Sequence, residues 1–247
     1  NPGSLPESPP PRTSAAATRL VGRSDDVPDL ARQRGIIAVG ARSGCSADEV
    51  AMLHERTGWP IVADPLSGMR HLDGAISSAD SLLRHERFAA DHLADVVVRV
   101  GRPAASKVLA QWIHRAALSG ATLVQVGGPG VIDPDHDVTA VCSMGDLLAA
   151  VTGASAQAIE WDELWRRADT AAERAITEVL DGFDEITEPA VARIVAEHLG
   201  ESDELVVASS MAVRHLEWFG GPRARGYANR GANGIDGVTS TALGVVL

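Results

Sequence analysis

The sequence predicts an α/β fold: a Rossmann-like parallel sheet with helices on both faces, followed by the first β/α elements of a second α/β domain. Three observations carry that expectation. Short continuous apolar runs recur, such as Gly35-Ile36-Ile37-Ala38-Val39-Gly40 and Val96-Val97-Val98-Arg99-Val100-Gly101. Strands covered on both faces read this way, without polar alternation. Between these runs lie amphipathic stretches with helix start and stop signals. The connections are short, as in βαβ units.

In chain order, residues 1–20 are rich in Pro, Ser and Ala without hydrophobic period, and read as a linker. The Gly35 to Gly40 run is the first strand. Ser46-Ala47-Asp48-Glu49 is an S-x-x-E capping word that opens a helix with Val50 and Leu53 inward. Pro60-Ile61-Val62-Ala63 is the next strand, and a helical stretch follows from Ala79 to His92. After the Val96 strand comes a helix from about Ala105 to Leu118, with Val108, Leu109, Trp112, Ile113 and Ala116 on one side and Gly120 as its stop. Ala121 to Gly127 and Val138 to Cys142 complete the sheet.

The character changes near residue 158. That divides the chain into a linker (1–20), a Rossmann-like domain (21–158) and the start of a second α/β domain (159–247). Glu160 to Leu180 is a long helix whose stripe of Trp161, Leu164, Trp165, Ala168, Ala172, Ile176 and Val179 reads as core packing rather than a cofactor box. Pro189 stands near the start of a further helix, which stops at Gly200. Two short strands follow, Leu205–Ala208 and Tyr227–Asn229. Each is expected to run into a polar turn that carries an arginine, Arg214 and Arg230.

Composition narrows the function. The chain has 247 residues, 45% of them hydrophobic, and a net charge of −11. Nucleic acid and anionic membranes need clustered Lys and Arg, so both are disfavoured as partners. No apolar run approaches the ~20 residues of a membrane span, and the N-terminus lacks the regions of a signal peptide. Cys45 and Cys142 are isolated. They read as free cytosolic thiols, and a cytoplasmic location is expected. No G-x-G-x-x-G word appears, so the Rossmann-like shape licenses no dinucleotide. An acidic chain binds an acidic metabolite only through locally placed arginines. The glycine-rich turn Arg230-Gly231-Ala232-Asn233-Gly234-Ile235-Asp236-Gly237, opening a helix, has the features of an anion site.

Two words in this region are specific. Ser210-Met211-Ala212-Val213-Arg214, followed by Tyr227-Ala228-Asn229-Arg230-Gly231-Ala232-Asn233-Gly234-Ile235-Asp236-Gly237, resembles the SEPHCHC synthase family of menaquinone biosynthesis, which uses thiamine diphosphate. The close match covers about the last forty residues. A looser one upstream joins Trp59-Pro60-x-x-Ala63-Asp64-Pro65-Leu66-Ser67 to Val100-Gly101-Arg102-Pro103.

The resemblance implies a thiamine diphosphate-dependent carboligase. It would join isochorismate and 2-oxoglutarate, with loss of CO2, through a cofactor-stabilised carbanion. Ser210, Arg214 and Arg230 would meet substrate carboxylates or the reacting centre. Ile235 would support the cofactor's bent shape, with Asn233 and Gly234 near its aminopyrimidine ring. Arginine suits two dicarboxylic substrates because its planar fork pairs with carboxylates and keeps its charge. The blander readings are a strand-end serine, an Arg214–Glu217 surface pair and an ordinary core isoleucine.

Two family parts are absent here: the glutamate that activates the aminopyrimidine, and the Gly-Asp-Gly-like word that holds Mg2+ (or Mn2+). Both are expected outside these residues, in a longer homodimeric or homotetrameric enzyme, so the chain alone is expected to be inactive and to hold no metal ligand. The alternatives are another thiamine diphosphate carboligase or decarboxylase resembling acetolactate synthase, or a non-catalytic anion- or nucleotide-binding module. Arg70, Arg99 and Arg102 read as solvated strand-end residues, with a second anion site as the other reading. His71, His85, His92 and His136 lack metal spacing, and the acidic stretch Asp133 to Asp137 reads as a turn.

Overall fold

Five consecutive residues of Val96–Val100 are buried on both sides, and the sheet is built outward from this strand and its neighbour Gly35–Val39. The computed structural model describes residues 18–30, 34–151, 153–200, 202–229 and 237–247. Its strands are β1 (Arg19–Leu20), β2 (Gly35–Val39), β3 (Ile61–Ala63), β4 (Ala75–Ile76), β5 (Val96–Val100), β6 (Thr122–Val126), β7 (Ala140–Cys142), β8 (Val206–Val207) and β9 (Tyr227–Ala228). The first seven form one parallel sheet in the order β1-β7-β6-β5-β2-β3-β4. This is the α/β architecture that the apolar runs predict. β1 uses the last two residues of the stretch read as linker, and the two-residue β1 and β4 are too short to leave a pattern.

The helices are α1 (Ala47–Thr57), α2 (Ala79–Arg84), α3 (Glu86–Asp91), α4 (Lys107–Leu118), α5 (Met144–Ala150), α6 (Ala156–Asp181), α7 (Glu188–His198), α8 (Met211–Phe219) and α9 (Val238–Val246). Alternate strand residues face opposite ways. Ile37, Val39, Ile61 and Val98 pack with Val50 and Leu53 of α1 and Leu147 of α5. Ile36, Ala38, Val62 and Val97 pack on the other face with α2, α3, α4 and α6. The Ser46 word forms a true capping box. The Glu49 N–H donates to Ser46 Oγ at 3.2 Å, and the Ser46 N–H donates to Glu49 Oε2 at 2.8 Å. The helix expected over 79–92 is two, broken at His85, whose extended backbone ends α2 and whose ring Nδ1 caps α3.

α6 belongs to both parts of the chain. Its first turns carry Trp161 and Trp165 into the core of the large sheet. The Trp161 indole N–H donates to the Gly35 carbonyl at 2.9 Å. Farther along, the stripe leaves the core, and Val179 is exposed. Beyond it, β8 and β9 pair in parallel as a separate two-stranded sheet, Val206 opposite Tyr227 and Val207 opposite Ala228. A small core of Ala196, Leu216 and Ala224 joins α7 and α8 to β8.

Candidate functional site

β8 and β9 run parallel, so the segments that leave their C-terminal ends emerge on the same side. After β8 the chain turns at Ser209 and Ser210 into α8. Ser209 Oγ donates to the Asn229 carbonyl just past β9, which ties the two exits together. The fold therefore brings the Ser210–Arg214 word beside the entry to the second word. Arg230, Asn233, Gly234 and Ile235 lie outside the described residues. The described chain resumes at Gly237, whose φ of 83° is the left-handed conformation glycine accepts, at the head of α9.

Ser210 is the N-cap residue of α8, yet its hydroxyl makes no capping hydrogen bond. The helix thus begins with an exposed hydroxyl beside its unpaired first N–H groups. Arg214 corrects the expectation of a polar turn: it stands in the helix itself. Val213 and Leu216 bury one side of α8, and that apolar stripe explains why the segment is helical. Four positions after Ser210, Arg214 is on the same face. It is exposed, and among the described residues its one polar contact is Met211 Sδ at 3.8 Å. The surface pair with Glu217 is not formed; Glu217 is buried instead. A hollow of about 450 Å³ opens at Ser210, walled by Val191 and Val195 of α7, Val207 of β8, and Met211 and His215 of α8.

A second crevice lies at the C-terminal end of the large sheet, where the strand order reverses between β2 and β5. Open α/β sheets take ligands at such switch points. The crevice, about 380 Å³, is lined by Arg42, Asp64, Leu66, Arg102 and Ile132, and Ala228 of β9 reaches it. Gly40 lets the loop after β5 close over β2, since a Cβ there would fall 1.7 Å from the Arg102 carbonyl oxygen. Asp64 braces the crevice. Its carboxylate accepts the Leu66 and Ala105 N–H groups, each at 2.8 Å.

The family model described as the middle domain of thiamine pyrophosphate matches residues 8–207. The chain belongs to that family. Curated relatives named 2-succinyl-5-enolpyruvyl-6-hydroxy-3-cyclohexene-1-carboxylate synthase are similar to it. The one from Myxococcus xanthus is 34% identical, the alignment covering 95% of this chain and 43% of the relative. The Rubrobacter xylanophilus protein is 36% identical, over 87% of this chain and 39% of its own length. That of Synechococcus elongatus is 31% identical, over 89% and 39%. The chain thus spans about two fifths of the length of the curated relatives it matches.

In this middle-domain protein the strand-end arginines are not solvated. Arg70 is 5% and Arg99 7% exposed. Burial lowers the pKa of both, against the pull of neighbouring carboxylates. Arg99 donates to Gln125 Oε1 at 2.8 Å and to the Ile132 carbonyl, which fixes the loop before β7. Arg102 is half-buried, and its Nε has no partner among the described residues. Sequence patterns place an arginine at a strand end but do not reveal which loop covers it.

One cluster escaped the sequence reading altogether. His114 of α4 donates from Nδ1 to Asp137 Oδ2 at 2.9 Å, and Asp135 brings a third ligand-type atom within 4.8 Å of the others. The hydrogen bond to Asp137 raises the His114 pKa above the usual imidazole value. The pair joins residues 23 apart, so spacing gave no signal. Arg42 and Asp64 were also missed, because only the topology brings their loops together. Among the described residues no helix is long and apolar enough to cross a membrane.

Proposed function

We propose that this chain is the middle portion and the start of the diphosphate-binding domain of an enzyme that makes SEPHCHC in menaquinone biosynthesis. The division near residue 158 belongs to the same reading. The enzyme joins isochorismate and 2-oxoglutarate with release of CO2. Thiamine diphosphate, with Mg2+ or Mn2+ held outside these residues, supplies the nucleophile that takes up and decarboxylates the 2-oxo acid. The active form is a cytoplasmic homodimer or homotetramer, and the chain alone is inactive.

One observation carries the reading: the Ser210 hydroxyl and the Arg214 guanidinium share an exposed face at the head of α8, and neither is used by the fold. Free cationic and N–H donors at a helix N-terminus fit a carboxylate ligand. In the proposed roles, Ser210 donates a hydrogen bond to the substrate and Arg214 and Arg230 pair with its carboxylates. Asn233, Gly234 and Ile235 line the cofactor. The described residues fit the acidic substrates, and they assign the chain's own part as binding and orientation. The relatives' name supports the choice of this reaction among carboligases.

The choice of 2-oxo acid tests it. In the full-length protein carrying this chain, CO2 release with isochorismate present is expected to be at least about a hundredfold faster from 2-oxoglutarate than from pyruvate. The second carboxylate finds Arg214 or Arg230, and a charge-assisted pair left unmade costs roughly 1.5–3 kcal/mol per hydrogen bond. Equal or faster release from pyruvate would favour an enzyme like acetolactate synthase.

A further inference from the structure

A buried cation links the large sheet to the helix that carries Arg214. Arg70 follows β3 and sits 5% exposed. Its Nε donates to the Ala63 carbonyl at 2.8 Å, while Nη1 is buried without a partner. The carboxylates that attract its charge are Glu217 of α8, which acts most strongly, then Asp64 after β3, and Glu173 and Asp169 of α6. Glu217 is itself 7% exposed. The α6 acids are braced in turn. Ser78 donates its N–H to Asp169 at 2.7 Å and its hydroxyl to Glu173, and Arg193 of α7 donates to Glu173 at 2.7 Å. Beside this network, the Arg84 guanidinium of α2 lies 4.9 Å from the centre of the Trp218 ring on α8.

α8 is therefore held by its second half. Glu217 and Trp218 face the large sheet's domain, while Ser210 and Arg214 project from the opposite end. Nine residues make a rigid rod about 13 Å long. Moving the anchored end therefore moves the donors. We infer that Arg70 is a positioning residue: as the shared counter-ion of Glu217 and the α6 carboxylates, it sets the pose in which α8 presents Ser210 and Arg214 to the substrate. The inference rests on the function proposed above.

The test uses the full-length protein and the variants Arg70→Met, Glu217→Gln and the double variant. Folding is checked by thermal melting, and kcat and KM are measured across pH. Arg70→Met removes the charge and keeps most of the volume. Its kcat at pH 8 is expected to fall about ten- to a hundredfold in folded protein, the loss that misplacing a reacting group by about an ångström brings. The carboxylates of Asp64, Asp169, Glu173 and Glu217 then lack a counter-charge, so their pKa values rise. Activity of the variant should recover as pH falls, where they take up protons, and be lost as pH rises. The double variant has one fewer unmatched charge and should regain part of the kcat at pH 8.

A folded Arg70→Met with wild-type kcat and pH profile would overturn the inference. So would a double variant whose losses simply add. Should Arg70→Met fail to fold, Arg70→Lys decides: it keeps the charge without the planar fork, and an unchanged kcat and pH profile would equally overturn the role. Wild-type protein that consumes no isochorismate sinks the proposed function itself. Active wild type with indifferent Arg70 variants sinks only the positioning role.

Discussion

Replacing Arg214 with alanine is expected to lower kcat/KM of the full-length protein about a hundred- to a thousandfold and to leave its melting temperature within about 2 °C. The two halves of that result have separate causes. Arg214 is exposed and touches only the sulfur of Met211 among polar partners, so the fold loses almost nothing with it. Surface substitutions of this kind stay within roughly 0.5 kcal/mol. The substrate loses much more. A bidentate arginine–carboxylate pair contributes two charge-assisted hydrogen bonds, each about 1.5–3 kcal/mol, and about 1.4 kcal/mol is a factor of ten. Arg214→Lys should recover little, because an ammonium cannot reproduce the planar fork. Steady-state kinetics and calorimetry on the same preparation read both halves. Wild-type kinetics in Arg214→Ala would return the residue to the surface. A melting temperature that falls in step with activity would make it structural.

Trp165→Ala is expected to destabilise the protein by about 3–5 kcal/mol, the usual cost of deleting a fully buried large aromatic. Trp165 is completely buried. Its ring meets Phe88, Trp112 and Trp161 edge to face, with centroids 5.2, 5.9 and 5.8 Å away. These partners come from α3, α4 and α6 itself, so the cavity would open where the long helix seats on the sheet. Trp165→Phe should cost far less. The Trp165 indole N–H is buried without a partner, and the exchange removes that unpaired donor along with part of the ring. Urea unfolding of the two variants separates the contributions. A Trp165→Ala loss below about 1 kcal/mol would mean that α6 is seated by something other than this cluster.

The large sheet was legible because burial on both faces writes itself into the sequence. Gly35–Val39 and Val96–Val100 have no alternation to misread. The Ser46–Glu49 word and the Trp161–Trp165 stripe were legible for the same local reason, since each spans one or two helical turns. What stayed hidden depends on distant segments. The arginines at 70 and 99 look alike at strand ends, and only packing against α6, α8 and the loop at Ile132 buries them. α8 was read as a turn because Ser210 and Arg214 drew attention to polarity, while the apolar pair Val213 and Leu216 fits a helix equally well. The candidate site was half legible. Its words gave the residue types, but that Ser209 ties to Asn229 across two parallel strands follows from the β8–β9 register alone.

The most direct test follows isochorismate absorbance in the full-length protein with 2-oxoglutarate, thiamine diphosphate and Mg2+ present, and then with each omitted in turn. Loss of isochorismate that requires all three, and that falls at least about a hundredfold in Arg214→Ala, is the predicted result. No loss in any combination, from protein shown to be folded, would contradict it and leave the cleft at the head of α8 as a binding surface without this chemistry.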